Sequence, residues 1–305
     1  MTDPITAEDR AAARMTMDYE ALITAQPTGH DTVQGPKDVP PPPRQAQAIT
    51  YLRPDARTYK RDDRGRFGSG GGGGVDHHAA IKAAGTAEEV ASALETALTD
   101  TMGHSVSVTF KGMDTGLARE AAEGLLQGAE RFPDARLSGI YTYGSGAGKS
   151  NMGDNMARLH PDASAVTQAH GVMEDHKFVV NSNIYFNTGP SSDPEAYRAG
   201  RVRSKEEGFL STDSATGTAL HEFGHVIENQ TSTKRDAYDA AVAMAEKAGA
   251  TPTAYIRREV SSYATESMGE FAAEAFADVM ANGAKASSVS RAAFDVMDTK
   301  YRESK

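Results

Sequence analysis

The 305-residue chain contains neither cysteine nor tryptophan. Without thiols there is no disulfide, no thiolate nucleophile and no cysteine-ligated metal, so any bound metal must rest on histidine and carboxylate. Aromatic residues make up only 7% and all hydrophobic residues 39%, which is lean for a fully packed chain of this length and predicts a non-globular part. Cations are also in the minority, with 32 Lys and Arg against 42 Asp and Glu, a net charge of -10. Such a chain lacks the clustered cations that hold a phosphate backbone, so no nucleic-acid partner is expected. Nowhere do about 18 apolar residues run together, the length a membrane-spanning helix needs. The first segment, MTDPITAEDRAAARMTMDYEAL, lacks the basic flank and apolar run of a secretory signal. These absences predict a soluble chain with no membrane partner.

What is present divides into three stretches. In residues 1–25, Met15, Tyr19, Leu22 and Ile23 share one helical face behind a Thr6-x-x-Asp9 start, a short amphipathic helix suited to docking on a partner. Residues 26–75 lose apolar periodicity, carry Pro36 and the run Pro40 to Pro43, and continue as RDDRGRFGSGGGGG from Arg61; this composition predicts a flexible linker. Residues 76–305 read as one domain. Thr86-x-x-Glu89 opens a helix through Val90, Leu94 and Leu98, because such a pair satisfies two free N–H groups reciprocally. A strand is expected over Ser105 to Phe110, a helix from Leu117 to about Phe132, and a second strand from Arg136 to Tyr143. Residues 144–175 give little signal, and His176 to Asn187 reads as a strand or hairpin. Helices are then expected over about 194–206, 214–230, 234–248, 252–261, 266–281 and 287–301. Strands first and helices after predict an α+β domain: a small mixed sheet followed by a mainly helical C-terminal part.

The chemistry sits in His221-Glu222-Phe223-Gly224-His225, an H-E-x-x-H motif. Residues four apart on a helix are neighbours, so His221 and His225 can grip one zinc ion. Glu222 is turned about 100° from His221, where it reaches a water on the metal better than the metal itself. Its expected job is general base. Thr212 or Asp213 is placed to cap the helix, and Leu220, Phe223, Val226 and Ile227 give it an apolar side away from the metal.

A catalytic zinc takes three protein ligands and leaves one position open. The extended motif that continues to a third histidine is closed here, since positions 228 and 231 are Glu and Thr. The alternative is a carboxylate from a later helix, and Glu266, Glu270, Glu274 and Asp278 recur every four residues. Between them stand Phe271, Ala272, Ala273, Ala275, Phe276 and Ala277. So little polar surface predicts burial, and buried carboxylates need partners.

The pairing of HEFGHVIE with SSYATESMGEFAAEAF resembles the gluzincin peptidase domain of anthrax lethal factor and its bacterial and phage relatives. Glu270 stands 45 positions beyond His225, a spacing similar to that family's. The resemblance implies a zincin-like fold, zinc held by His221, His225 and Glu270, and Tyr263 as an oxyanion partner. It places Glu274 at the acid that orients a ligand histidine. Ala272 departs from the family, whose members often carry an aromatic there. The activity implied is hydrolysis of a polypeptide substrate, laid against a strand for which Val179, Val180, Asn181, Ser182, Asn183, Ile184, Tyr185 and Phe186 are the candidates. Separately, RDDRGRFGSGG resembles a short motif of bacteriophage structural proteins, implying a phage-encoded or virion-associated enzyme of host cytoplasm or particle. Its N-terminal segment would meet a phage structural protein. The alternatives are a non-catalytic docking protein that keeps the fold and a secreted bacterial toxin-type peptidase.

Other signals carry less. Gly144 to Ser150 resembles a phosphate-binding loop, but that pattern needs glycine where Tyr143 stands. It reads instead as a mobile loop. His77 and His78 are adjacent and point apart on any regular structure.

Overall fold

The computed structural model describes residues 75–144, 151–174 and 177–305. The expected docking helix at 1–25, the linker up to residue 74 and the loop residues 145–150 lie outside the described residues. The described part is α+β, with a small mixed sheet and mainly helical content.

Helix α1 (His77–Ala83), which the sequence did not announce, precedes α2 (Ala87–Met102). The capping box that opens α2 is complete: Thr86 accepts from Glu89 N–H, and Glu89 reaches back to the Thr86 N–H. Strand β1 (Ser107–Val108) is much shorter than the alternation over Ser105 to Phe110 suggests. Helix α3 (Thr115–Arg131) and strand β2 (Leu137–Tyr143) follow. The low-signal stretch then holds α4 (Asn151–Leu159) and β3 (Ala165–Glu174), and β4 spans Lys177–Asn187. The remaining helices are α5 (Pro194–Glu206), α6 (Ala215–Thr231), α7 (Lys234–Lys247), α8 (Pro252–Glu259), α9 (Met268–Asn282) and α10 (Ser288–Glu303). Each lies within about two residues of its sequence expectation.

The strand order is β1-β2-β4-β3, with the first three parallel and β3 antiparallel to β4. This corrects the assignment of Val179 to Phe186 as the strand open to a substrate. Val179, Val180 and Asn181 are paired with β3, and Ser182, Asn183, Ile184, Tyr185 and Phe186 are paired with β2 on one side and β3 on the other. From Ser182 to Phe186 the strand is engaged on both flanks and has no N–H or C=O groups to offer a third chain. Among the described residues the antiparallel edge is β3.

Helix α6 is central. It packs on β3 and β4, on α3 and on α9, and Leu220, Phe223, Val226 and Ile227 are fully buried along it. Its cap is Ser214, whose hydroxyl accepts from Gly217 N–H, one or two residues later than the sequence suggested. Close approach of α3 to α6 depends on Gly128, where a Cβ would stand 2.7 Å from the Phe223 ring. A smaller cluster of Tyr143, Met156 and Tyr185 forms the other apolar contact, where α4 meets β2. No helix among the described residues is long and apolar enough to cross a membrane.

Candidate metal centre

Helices α6 and α9 can lie close because Gly224 has no side chain: a Cβ there would stand 3.0 Å from the Ala273 Cα and from the Phe276 Cβ. That proximity brings the acids of α9 to the histidines of α6. Ser267 caps α9 by accepting from Glu270 N–H. Ser267-x-x-Glu270 has the form of a capping box, yet the Glu270 carboxylate is turned to the histidines instead of back to the cap. Its Oε2 lies 3.0 Å from His221 Nε2 and 3.5 Å from His225 Nε2.

His221, His225 and Glu270 therefore each direct one donor atom to a common point, all within 4.8 Å of one another. The imidazole rings are 4.9 Å apart and nearly perpendicular, at 82°. This buried group could hold a metal ion. Two features bear on the fit. Glu270 Oε2 is buried and makes no hydrogen bond of good alignment, only its close charge contacts with the two Nε2 atoms, a position in which a cation held by all three donors would suit it better. The donor set, two nitrogens and one oxygen, also matches the three-ligand pattern of a catalytic zinc.

Behind the cluster, Glu274 Oε1 accepts from His221 Nδ1 at 2.9 Å. Its other oxygen accepts from the Ser211 N–H at 2.7 Å and the Ser261 hydroxyl at 2.9 Å. Ser261 also accepts from Ala264 N–H, which joins Glu274 to the 3₁₀ turn Tyr263–Thr265. Tyr263 leans over His221, with ring centroids 5.8 Å apart, and is backed by Phe209 at 5.5 Å.

Electrostatics follow from this packing. Burial would lower the pKa of His221, but hydrogen bonds and charge from Glu270 and Glu274 outweigh it and push it up to about 10. His225 is raised by Glu270 against its own burial. Burial would raise Glu270, yet the two histidines hold it far below the usual carboxylate range. Glu274 is depressed likewise by His221, Ser211 and Ser261. Carboxylates and imidazoles thus shift each other in opposite directions, each favouring the other's charged form. Tyr263 is raised well above its ordinary value by burial and then by the charges of Glu270, Glu222 and Glu274, so it stays a neutral phenol that can donate.

Glu222 is buried and does not join the cluster of donors. Its Oε2 accepts from the Thr167 hydroxyl of β3 at 2.6 Å. Of the acids on the proposed stripe, Glu266 is exposed before α9 begins. Asp278 is buried at the far end, accepting from Asn282 Nδ2 and Ser287 N–H. His77 and His78 each pair with carboxylates of other helices, Asp100 and Glu123 respectively, as separate contacts.

Sequence reasoning missed Thr167, Ser211 and Ser261. No spacing rule links residue 167 to 222. Ser261 and Ser211 flank motif positions but are ordinary small polar residues until their partners are known. Compared with known proteins, the chain matches no family model, no curated protein and no solved structure.

Proposed function

We propose that this chain is a zinc-dependent endopeptidase with a zincin-like fold of the gluzincin type. The observation that carries the proposal is the convergence of His221 Nε2, His225 Nε2 and Glu270 Oε2 in a buried group, with Glu222 beside them and outside the cluster of donors. A purely structural site has no use for a fourth residue, a carboxylate placed to act as general base, beside its three donors.

His221, His225 and Glu270 would hold the ion, and Glu274 would fix the His221 ring with Nδ1 protonated and Nε2 inward. Zinc bound there supplies a Lewis acid that lets water lose a proton near neutral pH. Glu222 takes that proton and later returns it to the leaving amine. Tyr263, kept neutral, donates a hydrogen bond to the developing oxyanion. The substrate is a polypeptide, extended and added as a strand to β3, the antiparallel edge among the described residues. The side of β3 facing α6 carries the small residues Ala165, Thr167, Ala169 and Gly171, in register with the buried Ile184 and Phe186 of β4. The biological setting we propose, a phage particle or an infected host, rests on the RDDRGRF sequence motif.

The test uses the purified full chain and a quenched-fluorophore peptide library. Wild type should cleave and lose activity to a chelator. Glu222→Gln should bind zinc as wild type does and turn over nothing. Cleavage that survives Glu222→Gln would exclude the assigned base, and a wild type that neither binds zinc nor cleaves would exclude the peptidase.

A further inference from the structure

A general base has to present one carboxylate oxygen at a fixed angle, and a glutamate side chain has three torsions that work against this. Helix α6 offers Glu222 little support. One turn before it, the Thr218 hydroxyl is engaged with Tyr197 and with the Ser214 carbonyl; one turn after it stands the apolar Val226. The support comes from the sheet. Thr167 Oγ1 lies 2.6 Å from Glu222 Oε2 and 3.0 Å from the Glu222 backbone carbonyl.

A hydroxyl has one proton to give. The shorter contact has the length of an O–H donated to an ionised carboxylate, whereas 3.0 Å is the long limit for an O–H to a neutral oxygen. The proton therefore goes to the carboxylate. Thr167 is well built for this. It is β-branched, hence stiff about its first torsion, and it sits in a paired strand opposite the fully buried Ile184. Its neighbours on the same face, Ala165 and Ala169, bring no competing donor.

We propose that Thr167 is a positioning residue: it pins Glu222 Oε2 and leaves Oε1 to receive the proton of the attacking water. This rests on the peptidase reading above and deepens it. Because Thr167 belongs to the edge strand of the described sheet, where the substrate is proposed to add, substrate placement and base orientation take one reference, the backbone of β3.

Thr167→Val removes the hydroxyl and keeps the branched shape; Thr167→Ser restores the hydroxyl. Both are assayed as zinc-loaded full chains on a single fluorogenic peptide chosen from the library with wild type. Thr167→Val should lower kcat by about 10- to 100-fold, the range expected for losing a hydrogen bond to a charged group. KM, zinc content and melting temperature should stay close to wild type, and Thr167→Ser should recover most of kcat. An unchanged kcat in Thr167→Val, a change confined to KM, or an equal loss in both variants overturns the assignment. If Thr167→Val does not fold, Thr167→Ser decides alone: kcat near wild type supports the role and a tenfold loss overturns it. An active wild type, an inactive Glu222→Gln and an unimpaired Thr167→Val together sink the Thr167 role and leave the peptidase standing. A wild type without chelator-sensitive cleavage removes both.

Discussion

Glu274 accepts the Nδ1 proton of His221 at 2.9 Å, so the ring turns its other nitrogen toward Glu270. Three donors meet Glu274: the His221 ring, the Ser211 N–H and the Ser261 hydroxyl. Replacing it with alanine releases all of them. Zinc affinity should fall by about 10- to 100-fold in Glu274→Ala, read by competition with a chromogenic chelator, while circular dichroism stays native. Affinity equal to wild type would mean that His221 is oriented by something other than this carboxylate.

Acidity should act oppositely on the metal-free and metal-loaded protein. A histidine raised from 6.5 to about 10 stabilises the fold fully below 6.5 and ceases to do so as pH climbs through about 10. A carboxylate depressed from 4.5 stabilises above 4.5 and ceases to do so as pH falls through its folded value. The chelated protein should thus lose melting temperature between pH 6.5 and 10. Zinc needs neutral imidazoles, so its affinity should rise over the same interval and its binding should release protons. Calorimetry in two buffers of different ionisation enthalpy counts those protons; none released would contradict protonated histidines in the metal-free state.

Tyr263→Phe keeps the ring packed between Phe209 and His221 and removes the donor. If the hydroxyl serves the oxyanion, kcat should drop by about 100-fold with zinc retained. A drop below threefold would return Tyr263 to the role of a packing residue.

Gly224 is the spacer between α6 and α9. Gly224→Ala places a methyl 3.0 Å from Ala273 and Phe276, which should destabilise by about 1–3 kcal/mol through overpacking and weaken zinc binding by shifting Glu270. Gly200 in α5 has open space around its missing Cβ, so Gly200→Ala should be neutral or stabilise by up to about 1 kcal/mol. Thermal unfolding of the two variants, with and without zinc, separates packing from general helix propensity.

Much of this centre can be read from the chain because helices advertise themselves. His221 and His225 are four apart, Glu270 and Glu274 are four apart, and Ser214, Ser267 and Ser287 cap helices near their expected starts. Strands say less. The alternate residues of β3 on the Thr167 side, Ala165, Thr167, Ala169, Gly171 and Met173, mix small, polar and apolar types, so the two-residue period is faint. For β4 the sequence shows a strand but not its neighbours, since pairing partners are set by topology. Its apolar run, with Ile184, Tyr185 and Phe186 all buried, is the pattern of an inner strand. Thr167 was invisible for the same reason: its significance is a distance between two segments 55 residues apart.

The donors of the metal cluster and Glu274 behind them come from one continuous stretch of helices, while the residue that steadies the base comes from a strand more than 50 positions earlier. Metal content and turnover accordingly report on different parts of the molecule. On the proposed reading, if β3 peeled away the helices would keep a bound ion and the protein would be inert, a loaded but idle form. In a preparation of mixed quality, specific activity per bound zinc is then a gauge of how much of the sheet is in place.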